Sequence, residues 1–355
     1  MTPILALARL RAGRLAAVAL TGALALTACG GTDKSGAAGA DAVSIAVAAS
    51  KGSIPGLPPI VAQETGIFAK HGLDVELITS LRGGAAIMSA LTSGSADVVA
   101  QTVSAGAKAK QSGASLPLIS AQSAGVPYIL VAGPKTKVPP AKPGPEGWQE
   151  TIRSLKGATI AASGPGTAFD VILKGLFHDV GLADTDFSNV NIAHGGPEVA
   201  ALKTGQVDAV VADIGTALSL IDEAGGQEVL DMAKIGPQWL TDQAWSGFMT
   251  SQKTLDAKPE LAAKWAAAMT ETREFMQNPA NLKELHRIAV QVSGIPDNDQ
   301  LDQALTRFGK LLLPSFTTAQ VQTTIDYMTK SGQLTETPKV IPAELVAPGV
   351  IAADG

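Results

Sequence analysis

Residues 90–99 read ALTSGSADVV, and residues 201–210 read ALKTGQVDAV. The two stretches lie 111 positions apart (201 minus 90), and each carries a helix end, a glycine, an acidic residue and an apolar strand in that order. Upstream of them, residues 45–53 resemble residues 160–167. A unit present twice predicts two lobes of similar topology.

Each copy of the repeat reads strand, Gly/Ser loop, helix, strand, loop, helix, strand. Apolar strands that alternate with helices are typical of a mostly parallel sheet with helices on both faces. We therefore predict an α/β protein with two lobes, each a mostly parallel sheet flanked by helices.

Two β-rich runs indicate where the chain crosses between the lobes. Residues 126–131 (VPYILV) lead into a Pro-rich stretch, and residues 245–250 (WSGFMT) follow the second copy. We predict that lobe one comprises residues 42–131 and 245–355, and that lobe two comprises residues 132–244. The last hundred residues are expected to complete and buttress lobe one.

Apolar residues at helical spacing predict two core helices in this C-terminal part of the chain. The first stripe consists of Leu261, Trp265, Met269, Thr272 and Met276. The second consists of Val321, Ile325 and Met328, and it ends at Gly332.

The N-terminus has the features of an export signal. Three arginines precede an apolar run over residues 15–26, which is too short to span a bilayer. The run ends at LTAC, which resembles the bacterial lipobox and implies cleavage before Cys29 and acylation of its thiol. We predict a lipoprotein signal peptide over residues 1–28 and a lipid-anchored flexible tether over residues 29–41. An ordinary signal peptide with an incidental cysteine is the alternative.

Composition excludes several classes of protein. The 355-residue chain is 46% hydrophobic, which is ample for packed cores, and its net charge of −5 argues against general nucleic-acid binding. With a single cysteine, the chain can build neither a disulfide framework nor a cysteine metal cluster. We predict no metal.

In open parallel sheets, ligands bind at the carboxyl ends of the strands, where loops lead into helices. Six loops of the repeat qualify, at residues 50–53, 82–84, 102–104, 163–167, 194–196 and 213–216. Their glycines allow a close approach, and free N–H groups at helix starts suit an anion. Two such lobes, joined by two crossings, would close on a ligand between them.

The candidate ligand-binding residues lie in these loops and at the two crossings. They are Ser50, Lys51, Gly52, Ser53, Gly83, Gly84, Thr102, Ser104, Tyr128, Ser163, Gly164, Gly166, Thr167, His194, Asp213 and Trp245.

Several candidates also have a purely structural interpretation. Ser163, Thr167 and Asp213 stand where helix N-caps are expected. Asp213 matches Thr102 within the repeat, so both side chains could face the cleft from opposite lobes.

The remaining candidates divide in the same way. Lys51 and Arg82 are either solvated surface charges or anion contacts. His194, at a strand end, is a possible hydrogen-bond donor. Tyr128 and Trp245 either wall the cleft or pack the crossings.

No assembled catalytic motif occurs in the sequence. It lacks the Gly-x-Ser-x-Gly, His-Glu-x-x-His and phosphate-loop patterns. Gly164-Pro165-Gly166 begins a dinucleotide fingerprint, but Phe169 occupies the third glycine position and His194 stands where an acid is needed. We predict that the protein is not an enzyme and takes no cofactor.

Residues 64–75 (ETGIFAKHGLDV) resemble the signature of a family of solute-binding proteins. These are the nitrate-, sulfonate- and taurine-binding proteins of ABC importers, which are related to the binders of thiamine-pyrimidine precursors. The resemblance covers roughly residues 43–255 and implies a two-lobed periplasmic-binding-protein fold of type II. It also implies a solute delivered to an ABC permease and its ATPase on the extracytoplasmic face of the bacterial cell membrane.

The chain departs from that family at residues 212–214, which read ADI where many members have Trp, an acid and Pro. This departure argues against a stacking wall for a planar ring and points to a small aliphatic ligand. The leading hypothesis is a monomeric binder of a small organic anion, such as an aliphatic sulfonate or taurine, or of nitrate. The alternatives are a pyrimidine-precursor binder or enzyme on the same scaffold, and a surface ligand sensor.

Overall fold

The computed structural model describes residues 42–81, 83–165, 167–192 and 196–352. Its strands are β1 (Val43–Ala48), β2 (Leu73–Ile78), β3 (Val98–Thr102), β4 (Leu118–Ala124), β5 (Tyr128–Ala132), β6 (Thr159–Ala161), β7 (Ser188–Val190), β8 (Ala209–Asp213), β9 (Gln227–Asp231) and β10 (Ala244–Thr250). The predicted signal peptide, Cys29 and the tether lie outside the described residues.

Helices separate most of these strands, and five of the described helices follow β10. The described helices are α1 (Leu57–Glu64), α2 (Ile67–Lys70), α3 (Gly83–Ser93), α4 (Val103–Gln111), α5 (Gln149–Arg153), α6 (Ala168–Asp179), α7 (Gly196–Thr204), α8 (Ile214–Asp222), α9 (Gln238–Thr241), α10 (Gln252–Ala257), α11 (Leu261–Gln277), α12 (Leu282–Arg287), α13 (Leu301–Gly309) and α14 (Thr318–Lys330). A 3-10 turn, Ile54–Gly56, precedes α1, and a π-helical turn, Ile288–Val292, follows α12. Within the described ranges, none of the helices has both the length and the apolar character that a membrane span requires.

The described strands form two five-stranded sheets, one for each lobe. The first has the order β2-β1-β3-β10-β4, and the second has the order β7-β6-β8-β5-β9. Because β10 and β5 run antiparallel to both of their neighbours, four strands of each sheet share one direction. The predicted pair of mostly parallel α/β lobes is confirmed.

The acidic residue of the repeat has the same structural role in both lobes. Asp97 accepts a hydrogen bond from the backbone N–H of Ala46 on β1, at 3.0 Å. Asp208 accepts one from the backbone N–H of Thr159 on β6, at 2.8 Å. Each carboxylate therefore fastens the start of the third repeat strand to the first.

The first crossing lies earlier than the predicted position near residue 131. Strand β4 ends at Ala124 in the first sheet, and β5 already belongs to the second sheet from Tyr128 onward. The strand β4 reads LISAQSA, which lacks the strong apolar character of β5, so the sequence pattern assigned the later run to lobe one. The chain returns to the first sheet at Ala244, beside the predicted position of the second crossing.

The two predicted C-terminal stripes are buried in α11 and α14, as expected. This part of the chain packs on lobe one through α11 and α14, and α13 also packs on α8 of lobe two. A single apolar cluster joins residues near Ile54 in lobe one, residues of β5 and β8, and residues of α13. The C-terminal segment therefore contacts both lobes.

Candidate functional site

A cleft of about 840 Å³ lies between the strand ends of the two sheets. Eight of the sequence candidates line it: Ser50, Gly52, Ser53, Gly84, Thr102, Tyr128, Asp213 and Trp245. Candidates from both copies of the repeat, and from both crossings, therefore meet at one site.

The loop after β1 forms one edge of this cleft. Gly52 adopts a positive φ of 83°, and its backbone N–H donates to the Ser293 hydroxyl at 3.1 Å. At the far end of the loop, Gly56 packs so tightly that a Cβ there would lie 1.9 Å from the Ser50 carbonyl oxygen. Lys51 is exposed and is not among the described lining residues.

Thr102 and Asp213 occupy equivalent positions at the starts of α4 and α8. The Thr102 hydroxyl accepts from the Ala105 N–H at 3.2 Å and from the Ser104 hydroxyl at 3.0 Å. Asp213 Oδ1 accepts from the N–H groups of Gly215 and Thr216, at 2.9 and 3.3 Å. Both residues are thus helix N-caps, and both also line the cleft.

Gln101 connects the start of α3 to the end of β3. Its side-chain amide donates to the Gly84 carbonyl oxygen at 2.8 Å, and its Oε1 accepts from the Thr102 N–H at 3.1 Å. Gly83 is the first residue of α3. Gln101 lines the cleft, although the sequence analysis did not single it out.

A partly buried polar network on lobe one also escaped the sequence analysis. The Ser246 hydroxyl donates to Gln122 Oε1 at 3.0 Å and lies 2.9 Å from the Ser123 hydroxyl. The Gln122 amide donates to the Pro55 carbonyl oxygen at 2.8 Å. These contacts join β4, β10 and the turn before α1, and Gln122, Ser123 and Ser246 all line the cleft.

Tyr128 and Trp245 both line the cleft at the crossings, and their rings also pack near each other. The Tyr128 ring centroid lies 6.1 Å from that of Trp245. The Phe169 ring centroid lies 4.4 Å from that of Tyr128 and 6.3 Å from that of Trp245. Burial, and secondarily the charge of Asp213, raise the pKa of the Tyr128 hydroxyl well above its ordinary range.

Thr167 holds the loop after β6 to the start of α6. Thr167 caps α6 by accepting from the Asp170 N–H at 3.3 Å, and its hydroxyl donates to the Gly164 carbonyl oxygen at 2.8 Å. Ser163 has a positive φ of 59°. Ser163, Gly164, Thr167 and also Ser104 are not among the described residues that line the cleft. Gly166 and His194 lie outside the described residues, as does Arg82.

The C-terminal segment supplies a third wall that the sequence analysis missed. This wall consists of Ile295, Pro296, Asp297, Asn298, Gln300, Leu301, Ala304 and Phe308. A hydrophobic stripe along α13 was the available signal, but that stripe does not reveal which surface it covers. In the described part of the chain, no group of three or more His, Cys, Asp or Glu side chains could hold a metal ion.

Two α/β lobes with a cleft between their strand ends define the class of two-lobed solute-binding folds. The model of the NMT1-like family matches residues 54–290, which is more than half of the chain, so this protein belongs to the NMT1-like family. The resemblance seen in residues 64–75 is thereby confirmed. No curated protein matches the chain.

Solved structures of binding proteins share this fold. The aliphatic sulphonate-binding protein SsuA of Escherichia coli is 14% identical with a TM-score of 0.64, over 88% of this chain and 94% of that one. The alkanesulfonate-binding protein SsuA of Xanthomonas axonopodis pv. citri, bound to MOPS, is 16% identical with a TM-score of 0.63, over 87% and 99%. The nitrate-binding protein NrtA of Synechocystis PCC 6803 is 18% identical with a TM-score of 0.55, over 72% and 68%. The predicted periplasmic-binding-protein fold is confirmed.

Proposed function

We propose that this protein is the extracytoplasmic solute-binding component of an ABC importer. It would capture a small solute between its two lobes and deliver it to a permease driven by an ATPase. The observation that carries the proposal is the cleft itself, into which Thr102 and Asp213 face from equivalent positions of opposite lobes. Binding at the strand ends of two facing lobes is the general behaviour of such folds.

The proposal includes attachment to the outer face of the cell membrane through a lipid on Cys29, and a monomeric state. Replacing Cys29 with serine should release the protein into the medium, whereas the unaltered chain should sediment with membranes. Mass spectrometry of the mature N-terminus would detect the acyl groups. An unmodified N-terminus downstream of position 29 would contradict lipid anchoring.

The first ligands to test come from the names of the fold neighbours and from the aromatic lining. Sulfonates and nitrate represent the first group, and pyrimidines represent the second, since Tyr128 and Trp245 offer planar contact surfaces. Taurine is added because of the family resemblance of residues 64–75. A ligand present at 100 times its Kd should stabilise the folded protein by about 2.7 kcal/mol. A thermal-shift screen would detect that change.

A second candidate function is that of an enzyme acting on a pyrimidine. The same aromatic lining of the cleft supports it. Incubation followed by mass spectrometry separates the two functions. A binding protein returns the ligand chemically unaltered, whereas an enzyme consumes it.

A further inference from the structure

Aromatic residues are concentrated where the chain passes between the lobes. Only 4% of the residues are aromatic, yet both tyrosines and two of the four tryptophans lie there. Tyr128 and Trp245 stand just beyond the two crossings. Trp239 lies within the second crossing, on α9, and Tyr327 reaches it from α14. Trp239 and Tyr327 are not among the described residues that line the cleft, so contact with a solute does not account for this second pair.

Helix α14 is built into lobe one. Val321 and Ile325 are buried in the apolar cluster of the first sheet. The Thr324 hydroxyl donates to the carbonyl oxygen of Ala244 on β10, at 2.9 Å. The position of Tyr327 on this helix is therefore set by lobe one.

The Tyr327 side chain nevertheless reaches lobe two. Its hydroxyl donates to the carbonyl oxygen of Val171 on α6, at 2.9 Å. Its ring stacks on that of Trp239, with the centroids 4.1 Å apart and the planes within 2° of parallel. Trp239 Nε1 in turn donates to Asp179 of α6, at 2.6 Å. One buried side chain of lobe one thus contacts both the second crossing and lobe two.

Gly175 of α6 leaves room for this contact. A Cβ at this position would lie 2.8 Å from the Tyr327 hydroxyl oxygen and 3.1 Å from the Trp239 ring. Glycine is less favourable than alanine inside a helix, so a glycine in the middle of α6 indicates a packing requirement. That requirement is the close approach of the two rings.

Lobe one contacts α6 on a second face as well. The ring centroid of Phe169, in the first turn of α6, lies 6.3 Å from that of Trp245 on β10. Phe169 and Gly175 are six positions apart (175 minus 169), which places them about 120° apart around the helix axis. Helix α6 of lobe two is therefore held between two aromatic side chains of lobe one, Trp245 and Tyr327.

We propose that Tyr327 is a positioning residue that fixes the angle between the two lobes. A rotation of the lobes about the crossings moves α14 relative to α6. It must therefore break the hydrogen bond to Val171 or slide the Tyr327 ring along Trp239. This inference goes beyond the proposed function, and it can be tested without a solute, so either can fail while the other stands.

The angle can be followed as the distance between two spin labels, measured by pulsed electron paramagnetic resonance. The labels are attached to Lys108→Cys on α4 and Lys203→Cys on α7, two exposed positions on different lobes, in the Cys29→Ser chain. Tyr327→Phe removes only the hydroxyl, and Tyr327→Leu removes the stacked ring as well. Val321→Ala is the matched control, because Val321 lies on the same helix and is buried in the cluster of lobe one.

We expect the distance distributions of wild type and Val321→Ala to coincide. Tyr327→Phe should broaden the distribution, and Tyr327→Leu should shift its mean by more than about 2 Å, the scale of a domain rearrangement. Distributions in both Tyr327 variants that match wild type would overturn the inference. An equal shift in Val321→Ala would also overturn it, because any weakening of α14 would then suffice.

Gly175→Ala tests the same contact from lobe two. Alanine favours a helix more than glycine does, so this change does not weaken α6 itself. The new methyl group would meet the Tyr327 hydroxyl first, and Tyr327→Phe removes that atom. We expect Gly175→Ala to shift the distance distribution, and the double variant to shift it by less than the sum of the two single variants. Additive shifts would show that the two residues do not act through one contact, and would overturn the inference.

Discussion

At the scale of single residues, Gly56 determines the shape of the first loop of the cleft. A Cβ at this position would lie 1.9 Å from the Ser50 carbonyl oxygen, which is far inside contact distance. Alanine therefore fits only if the loop moves. We expect Gly56→Ala to lower the free energy of unfolding by about 3 kcal/mol, measured by urea denaturation.

Gly196 supplies the control for this prediction, because it lines the same cleft and has open space where a Cβ would stand. Gly196→Ala should change the free energy of unfolding by less than about 0.5 kcal/mol. Equal losses in the two variants would show that the close approach at Gly56 is not the cause.

Local chemistry made some site residues predictable from sequence. Thr102 and Asp213 were identified because a capping residue between a buried strand and a helix start is a short-range pattern. Gln122 and Ser246 were not, since their hydrogen bond joins residues 124 positions apart. No spacing rule connects such a pair until the sheet order is known.

At the scale of elements, the Thr102 cap stabilises α4. The change Thr102→Ala removes the acceptor for the Ala105 N–H and the Ser104 hydroxyl. We expect a loss of about 1 kcal/mol in the free energy of unfolding, measured with urea. Thr102→Ser keeps the hydroxyl and should lose less than half as much. If serine and alanine were equally destabilising, the cap would not be the stabilising contact.

His286 joins three elements, because it lies on α12 and contacts Asp302 of α13 at 2.7 Å and Asp297 of the intervening loop at 3.2 Å. The hydrogen bond to Asp302, followed by the charges of both acids, raises the pKa of His286 above its ordinary 6.5. A raised folded-state pKa stabilises the protein below the unfolded value, and this stabilisation is lost as the pH rises through the folded value.

We therefore expect the thermal midpoint to fall slightly between pH 6.5 and pH 9, by the equivalent of at most about 0.5 kcal/mol because both carboxylates are well exposed. The change His286→Gln should remove this part of the pH dependence. An unchanged profile in that variant would assign the effect to other groups.

Element prediction succeeded where periodicity was strong. The buried residues of α11 and α14 recur at three- and four-residue intervals, so the sequence alone predicts which face of each helix packs against the core. Strand β4 is fully or largely buried although it contains Ser120, Gln122 and Ser123. Its polar side chains form hydrogen bonds with residues that are distant in the sequence. No local sequence pattern therefore identifies β4 as a buried strand.

At the scale of the whole molecule, the repeat predicted two lobes with facing loops. This was possible because each copy contains both the strands of a lobe and the loops at their carboxyl ends. The third wall of the cleft was beyond this argument, since residues 295–308 belong to neither copy. They reach the cleft because α13 packs against both α8 and the turn at Ile54–Gly56. The position of α13 depends on tertiary contacts that the internal repeat does not predict.

Arg307 makes the polar contacts that connect α13 to lobe two. Its guanidinium donates to both carboxylate oxygens of Glu228, at 2.9 and 2.8 Å, and to Asp231 at 2.7 Å. Both acids lie on β9 of lobe two, whereas the end of α13 is held to lobe one by Gln277, whose amide donates to the Gly309 carbonyl oxygen at 3.0 Å. The paired acids, in turn, raise the pKa of Arg307.

Arg307→Met leaves two partly buried carboxylates without their main partner, so we expect it to lower the free energy of unfolding by about 2 kcal/mol. Lys234→Met is the matched control, because Lys234 pairs with the same Asp231 at 3.0 Å but within lobe two and with an exposed side chain. It should cost less than about 0.5 kcal/mol. Urea denaturation at low and at 1 M salt would measure both, and the difference between wild type and Arg307→Met should shrink at high salt. Equal losses in the two variants would mean that the connection between the lobes adds nothing beyond an ordinary ion pair, and that apolar packing alone holds α13 over the cleft.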